Sequence, residues 1–466
     1  MKKPSTPKTL EEAIQVINQL WAVIEQLIEQ RDTDSSNSSK PPSSDGFKSA
    51  KRRAKPRSKR SQGAQPGHPK HERRLFPESE VDSIQRYFPP SHCACGQALD
   101  IDSTPSTRHQ IFDVPPVTAC FTEHQLFRGH CRGCGKYTAA TFPQELQSKQ
   151  MGPNLISWIG ILAGQCHMSM RQIQCFLMMQ WQLHFSLGAI SQAQDQVAQS
   201  IAPVYQQIGQ HLRSQDILYA DETQHKRNSE TRWLWTLTNG IACYFLTHYS
   251  RGKDAANEVL GQFDGYLVTD NYGGYNDYPR DKRQLCFAHL IRHARWISER
   301  RGRAGLLGKK LLVYCQAVIR TRHRLSTNTL TQEHYRRRQN RLRKSIHEVL
   351  VNGSRLRTAK RVANKCKHWL KNESMIWTFL QDERIGLTNN TAERAIRPYV
   401  IWRKQSYAVQ SSQGDRFRPS ILTLVETAKR LQINAQVFLT EACKEFLSNR
   451  NITGRLPLEG ALPANQ

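Results

Sequence analysis

Three acidic residues, far apart in the chain, stand where an acid would be placed to hold metal. Asp221 follows the apolar run Ile217, Leu218, Tyr219 and Ala220. That is the look of a buried strand delivering an acid to the rim of its sheet. Asp270 repeats the idea: a second apolar run, residues 265–269, leads into it, and the glycine-rich turn 271–275 follows. Glu393 lies in residues 387–397, which read as the opening of a helix. Convergence of the three would make an oxygen-rich pocket for hard divalent cations. Two Mg2+ ions, with Mn2+ as substitute, would clamp the attacking and leaving oxygens of a phosphodiester roughly 3.5–4 Å apart. Asp221 is the expected bridge, with Asp270 on one ion and Glu393 on the other.

Each acid has a plainer role to set against this. Asp221 could cap the turn after its strand, and Asp270 could be an ordinary turn aspartate. Asn390 and Glu393 have capping-box spacing. Glu222 is the nearest rival ligand. Cys286 and His289, three apart, would share one helix face, as a core pair or as a local brace or DNA contact.

The elements that must position these acids follow from the pattern. Residues 216–220, 232–239 and 241–250 read as strands, with Asn239-Gly240 as a hairpin signal. A helix at 254–263, the strand ending at Asp270, and a strand at 283–287 complete a ribonuclease-H-like sheet. We therefore expect a multidomain α/β chain with catalytic core parts at 213–299 and 387–430. A basic helical insertion at 300–386 separates them, and a helix and tail close the chain at 431–466. Residues 151–212 read as helices, as a helix–turn–helix or as a plain packing domain.

The 466 residues carry a formal charge of +28 with pI near 9.9. An excess this large points to a polyanion, and DNA is the expected partner. The start lacks an apolar signal core, and the most apolar run, 155–163, is about half a bilayer span. Twelve cysteines in so long a chain fit a reducing compartment. The expectation is a soluble intracellular protein with no membrane partner. Arg292, Arg295, Arg394, Arg397, Arg403 and Lys404 are read as phosphate contacts. Lys51, Arg52 and Arg53 begin a basic cluster in the polar linker 34–75 and are read as a DNA-backbone arm.

Two further modules precede the core. Leu10, Ile14, Ile17, Trp21, Ile24 and Ile28 make a heptad seam in residues 1–33, favouring a coiled-coil homo-oligomer. Residues 76–150 hold Cys93 and Cys95, then Cys131 and Cys134, each pair followed by glycine. Four such thiolates would close a structural Zn2+ site of zinc-ribbon type, with His92 a substitute for Cys93.

Residues 220–223, 268–275, 286–292 and 389–398, with Arg403-Lys404, the early residues 39–43 and Gln65 to His68, together resemble the insertion-sequence-66 family of bacterial transposases. The likeness runs over nearly the whole chain in order. It implies an Asp-Asp-Glu transposase with Asp221, Asp270 and Glu393 as its triad, and small accessory proteins from the same element. The Cys-x-Cys at 93–95 departs from the expected spacing, and residues 405–418 follow the family loosely. A structure-specific nuclease with the same triad, or an inactive zinc-containing DNA-binding regulator, are the rival functions.

Overall fold

The computed structural model describes residues 7, 9–17, 19, 20, 75–143 and 150–458. Trp21, Ile24 and Ile28 of the heptad seam, and Lys51, Arg52 and Arg53 of the basic arm, lie outside the described residues. Helix α1 (residues 10–17) leaves Leu10, Ile14 and Ile17 exposed. Among the described residues, no helix is long and apolar enough to cross a membrane.

The chain divides into two units, Ala50–Cys120 and the remainder. In the small unit, Phe76 exchanges backbone–amide hydrogen bonds of 2.9 Å with the Gln110 carboxamide, and its ring lies 5.7 Å from Phe112. Cys93 and Cys95 sit on a tight turn closed by Cys93 N–H donating to Gln97 O and Gly96 N–H to Cys93 O. Gly96 takes φ +87°, which a side chain would resist.

After Cys120 the larger unit resumes with a short antiparallel ribbon, β1 (Arg128–His130) and β2 (Tyr137–Ala139), which carries Cys131 and Cys134 at its turn. Helices α2 (Pro153–Gly164), α3 (Met170–Trp181), α4 (Leu187–Ser200) and α5 (Ala202–Arg213) follow. The sequence pattern runs unbroken from Ala189 to His211, but the helix breaks at Ile201. Pro203 opens α5, having no N–H to continue the preceding helix. All four helices send apolar residues into one core with the sheet, as a packing layer does.

The sheet orders β5-β4-β3-β6-β7. Strands β3 (Ile217–Arg227), β4 (Glu230–Thr238) and β5 (Cys243–His248) form an antiparallel meander. Helix α6 (Lys253–Leu260) then crosses over to β6 (Tyr266–Thr269), and β6 and β7 (Arg283–Leu285) run parallel to β3. Two expectations need correction. β3 continues seven residues past Ala220, paired with β4 through Arg227, so Asp221 sits inside a strand and not at its rim. β7 stops at Leu285 because Phe287 already opens a helix.

After β7 come α7 (Phe287–Ser298), α8 (Gly302–Ser326), α9 (Gln332–Ser354) and α10 (Lys360–Lys371), which build a second core. α8 approaches the end of α7 so closely that a Cβ on Gly308 would lie 2.3 Å from Ser298 N. Helices α11 (Asn390–Ser406), α12 (Ser412–Arg430) and α13 (Ala435–Leu447) return to the first core. Leu234, Leu237 and Phe245 are wholly buried there, each stabilising the sheet by about 1.5–3 kcal/mol.

Candidate active site

The parallel pairing of β3 with β6 ends at Tyr219 opposite Val268. Two residues further along each chain stand Asp221 and Asp270, so the register itself brings the two acids side by side. Asp221 Oδ1 accepts from Glu222 N–H at 2.9 Å, and Asp270 Oδ1 from Tyr272 N–H at 2.9 Å. Burial, with the negative charge of Glu222, Asp270 and Glu393, holds the Asp221 carboxyl well above the usual carboxylate range.

Because β6 stops at Thr269, the Ala220 carbonyl has passed its last strand partner on that side. It accepts instead from the Asn389 carboxamide, Nδ2 to O 2.8 Å, with both residues buried. Asn389 is the N-cap of α11, and its own N–H donates to Cys286 Sγ at 3.1 Å. The helix that carries Glu393 is thus tied to β3 one residue before Asp221. The capping-box spacing therefore does not describe this helix start. Asn390 is already the first helical residue, and the Glu393 carboxylate faces Arg292 Nη2 at 3.6 Å.

Glu222 faces the other way and is engaged on both oxygens. Oε1 accepts from Arg251 Nε and Nη2 at 3.0 and 2.7 Å, and Oε2 from Tyr275 O–H at 2.8 Å. Burial and the charge of Asp270 push its carboxyl up to about 7, against the pull of Arg251. The Arg251 guanidinium lies 3.8 Å from the Tyr272 ring centroid, and Tyr272 N–H is the donor that holds Asp270. Buried Arg283 braces the same turn, donating to the carbonyls of Asp270 and Tyr272 at 3.1 and 3.0 Å. Nothing in the spacing of the chain singles out Arg251. An arginine opening an apolar strand was the available sign for Arg283.

A further buried chain links β3, α11 and α12. His225 lies on the Asp221 face of β3, with Nδ1 against Tyr399 O–H and Nε2 at 2.8 Å from Asp415 Oδ1. Burial lowers the imidazole pKa, so a neutral ring accepts from Tyr399 and donates to Asp415. Arg227 and Arg232 reach the other Asp415 oxygen at 3.3 and 3.1 Å. Asp415 lies in the stretch that follows the family pattern loosely, and the pattern of the chain gave it no role.

The expected phosphate contacts divide. Arg394, Arg397 and Lys404 are exposed on α11, at intervals of three and seven that keep them on one face. Arg292 and Arg295 are half-buried on α7. Arg403 is turned inward, its Nη1 donating to Thr223 Oγ1 at 3.1 Å and to the Gln224 carbonyl. It ties α11 to β3, so it is spent on the fold.

Among the described residues, the one set of three potential ligands with all atoms within 4.8 Å of one another is Cys286, His289 and Glu393. Asp221 and Asp270 stand beside this set. The knuckle cysteines are free and exposed. Backbone N–H of Cys95 holds the Cys93 thiol below its usual value, and that of Cys134 does so for Cys131. Cys93 and Cys95 belong to the small unit, Cys131 and Cys134 to the larger one.

Residues 148–416, which include all three acids, match the model of the transposase IS66 family. The chain belongs to that family. Residues 1–74 match a second family, one of unknown function. Two uncharacterized proteins of Sinorhizobium fredii, y4qI and y4jD, are similar to this IS66-family chain at 23% identity each. The first likeness covers 47% of this chain and 46% of the relative, the second 58% and 57%. The chain thus spans about half the length of the curated relatives it matches.

Proposed function

We propose that this protein is a DNA transposase that cuts at the ends of its element and joins the freed 3′-OH to target DNA. Asp221, Asp270 and Glu393 are its metal-holding acids. The observation that carries the reading is the register: β3 and β6 run two acids to adjacent positions, and α11, bearing the third, is pinned to Ala220. A meander of three antiparallel strands followed by two parallel ones, with one acid on the first strand and one just past the end of the fourth, supports reading the core as ribonuclease-H-like. The donor set fits magnesium: hard carboxylate oxygens on a buried aspartate, where burial first and the neighbouring negative charges second raise the Asp221 pKa. Magnesium held by Asp221, Asp270 and Glu393 would supply activation of the nucleophile and stabilisation of the leaving oxygen.

The chain's own residues supply the rest. Tyr272 N–H and Arg283 hold Asp270 in place, and Asn389 sets the depth of Glu393. Arg394, Arg397 and Lys404 offer one basic stripe to the phosphate backbone. Residues 302–371 carry nineteen Lys and Arg against two Glu, so the α8–α10 insertion is a second DNA-facing surface. Water attacks phosphorus and the P–O bond to the 3′ oxygen breaks; the freed 3′ oxygen then attacks a target phosphate, breaking that phosphate's P–O bond and releasing the target strand's own 3′ oxygen. The cysteine knuckles are proposed to hold structural zinc, and α1 to contribute to self-association. Small proteins of the same element are proposed accessory partners.

Asp221→Ala is expected to abolish magnesium-dependent cleavage of element-end DNA while leaving DNA affinity within about twofold, read by gel shift. Strand cutting at the wild-type rate in that variant would sink the assignment.

A further inference from the structure

Beside the magnesium acids lies a group of different chemistry. Cys286 is the N-cap of α7 and is 1% exposed; His289, one turn into the helix, is 8% exposed. Their ligand atoms and a Glu393 oxygen all lie within 4.8 Å of one another. Sulfur, imidazole nitrogen and carboxylate oxygen together are a poor set for magnesium and a good one for zinc-like ions.

Two observations single this cluster out from an ordinary core pair. His289 Nδ1 is buried with no hydrogen-bond partner, a condition that folded proteins seldom tolerate. His289 Nε2 lies 3.2 Å from Arg292 Nη1, while Nη2 of the same guanidinium lies 3.6 Å from Glu393 Oε2. A cation already bridges two of the three ligands, and it belongs to a half-buried side chain. Asn389 N–H donating to Cys286 Sγ is the kind of outer contact that steadies a metal-bound thiolate.

We propose that Cys286, His289 and Glu393 form a three-ligand site for a borderline-soft divalent cation of the zinc class, with Arg292 as the resident cation that the metal displaces. The site deepens the transposase reading by sharing Glu393 with it, and rests on that reading only there. An ion held here withdraws Glu393 from magnesium and frees Arg292 toward a phosphate. Binding exchanges the Cys286 S–H proton for metal and releases that proton to solvent.

The test is a CoCl2 titration of the full chain under reducing conditions, followed by the thiolate-to-cobalt absorption band. Knuckle cysteines bind alike in every variant, so difference spectra isolate this site. Wild type is expected to take up one more equivalent than Cys286→Ser, with the corresponding single-thiolate band. His289→Ala should weaken that equivalent by roughly tenfold or more. Arg292→Ala should bind cobalt several-fold more tightly, a gain that a misfolded variant cannot give. Asp221→Ala should keep the band. Identical uptake and spectra in wild type, Cys286→Ser and His289→Ala would overturn the proposal. Loss of the band in Asp221→Ala would also do so, since the ion would then belong to the carboxylate pair. Cleavage persisting in Asp221→Ala sinks the transposase reading and leaves the cobalt result standing, so the two failures are separable.

Discussion

Asn389→Ala probes the joint on which the active-site geometry turns. The substitution removes the donor that satisfies Ala220 O at 2.8 Å, in a place where both residues are 1% exposed. An orphaned buried carbonyl costs about 1–3 kcal/mol. The backbone bond from Asn389 to Cys286 Sγ survives, so α11 should still form. Against a total stability of about 5–15 kcal/mol, the folded fraction stays above about 95 per cent at 25 °C. A fall in cleavage per molecule then reports displacement of Glu393 and not unfolding. We expect a lower melting temperature in calorimetry, with magnesium-dependent cleavage down by tenfold or more at 25 °C. Asn389→Asp should be worse on both counts, because it sets a carboxylate against the Ala220 carbonyl; Asn389 Oδ1 has no partner of its own to compensate. Full cleavage by Asn389→Ala, at whatever stability, would refute the idea that this amide sets the position of Glu393.

Two other predictions come from the same helix and its neighbours. Folding lowers the His225 pKa, so the folded state resists a proton that the unfolded chain accepts near pH 6.5. The stability of neutral His225 is present above that value and drains as pH falls below it. Melting temperatures from pH 7.5 to 5 should fall less steeply in His225→Gln than in wild type; equal slopes would place the titration elsewhere. Arg403→Ala should lower the melting temperature by cutting the tie to Thr223. Lys404→Ala should leave the melt unchanged and flatten the salt dependence of DNA binding by about one unit of slope. The reverse pattern would mean that the two side chains have been assigned to the wrong surfaces.

Local pattern carried much of what the sequence by itself determined. Apolar runs ending in Asp221 and Asp270 announced strands of one sheet, Asn239-Gly240 announced a hairpin, and residues 151–212 announced helices. Glycines after the cysteine pairs foretold the knuckle turns, because positive φ is a property of single residues. These signals are short-range, and they survive without knowledge of the fold.

Tertiary structure decided the rest. What engages Glu222 depends on which sheet face its side chain takes and on what waits there. Arg251 and Tyr275 claim Glu222, and both come from later segments. Arg403 looked like its neighbour Lys404 until packing turned one inward. The Asn389–Ala220 bond spans 169 residues, and the Cys286–His289–Glu393 cluster joins two helices separated by the whole insertion. Long-range hydrogen bonds leave no local spacing, since either partner could have bonded to water until the chain closed around it.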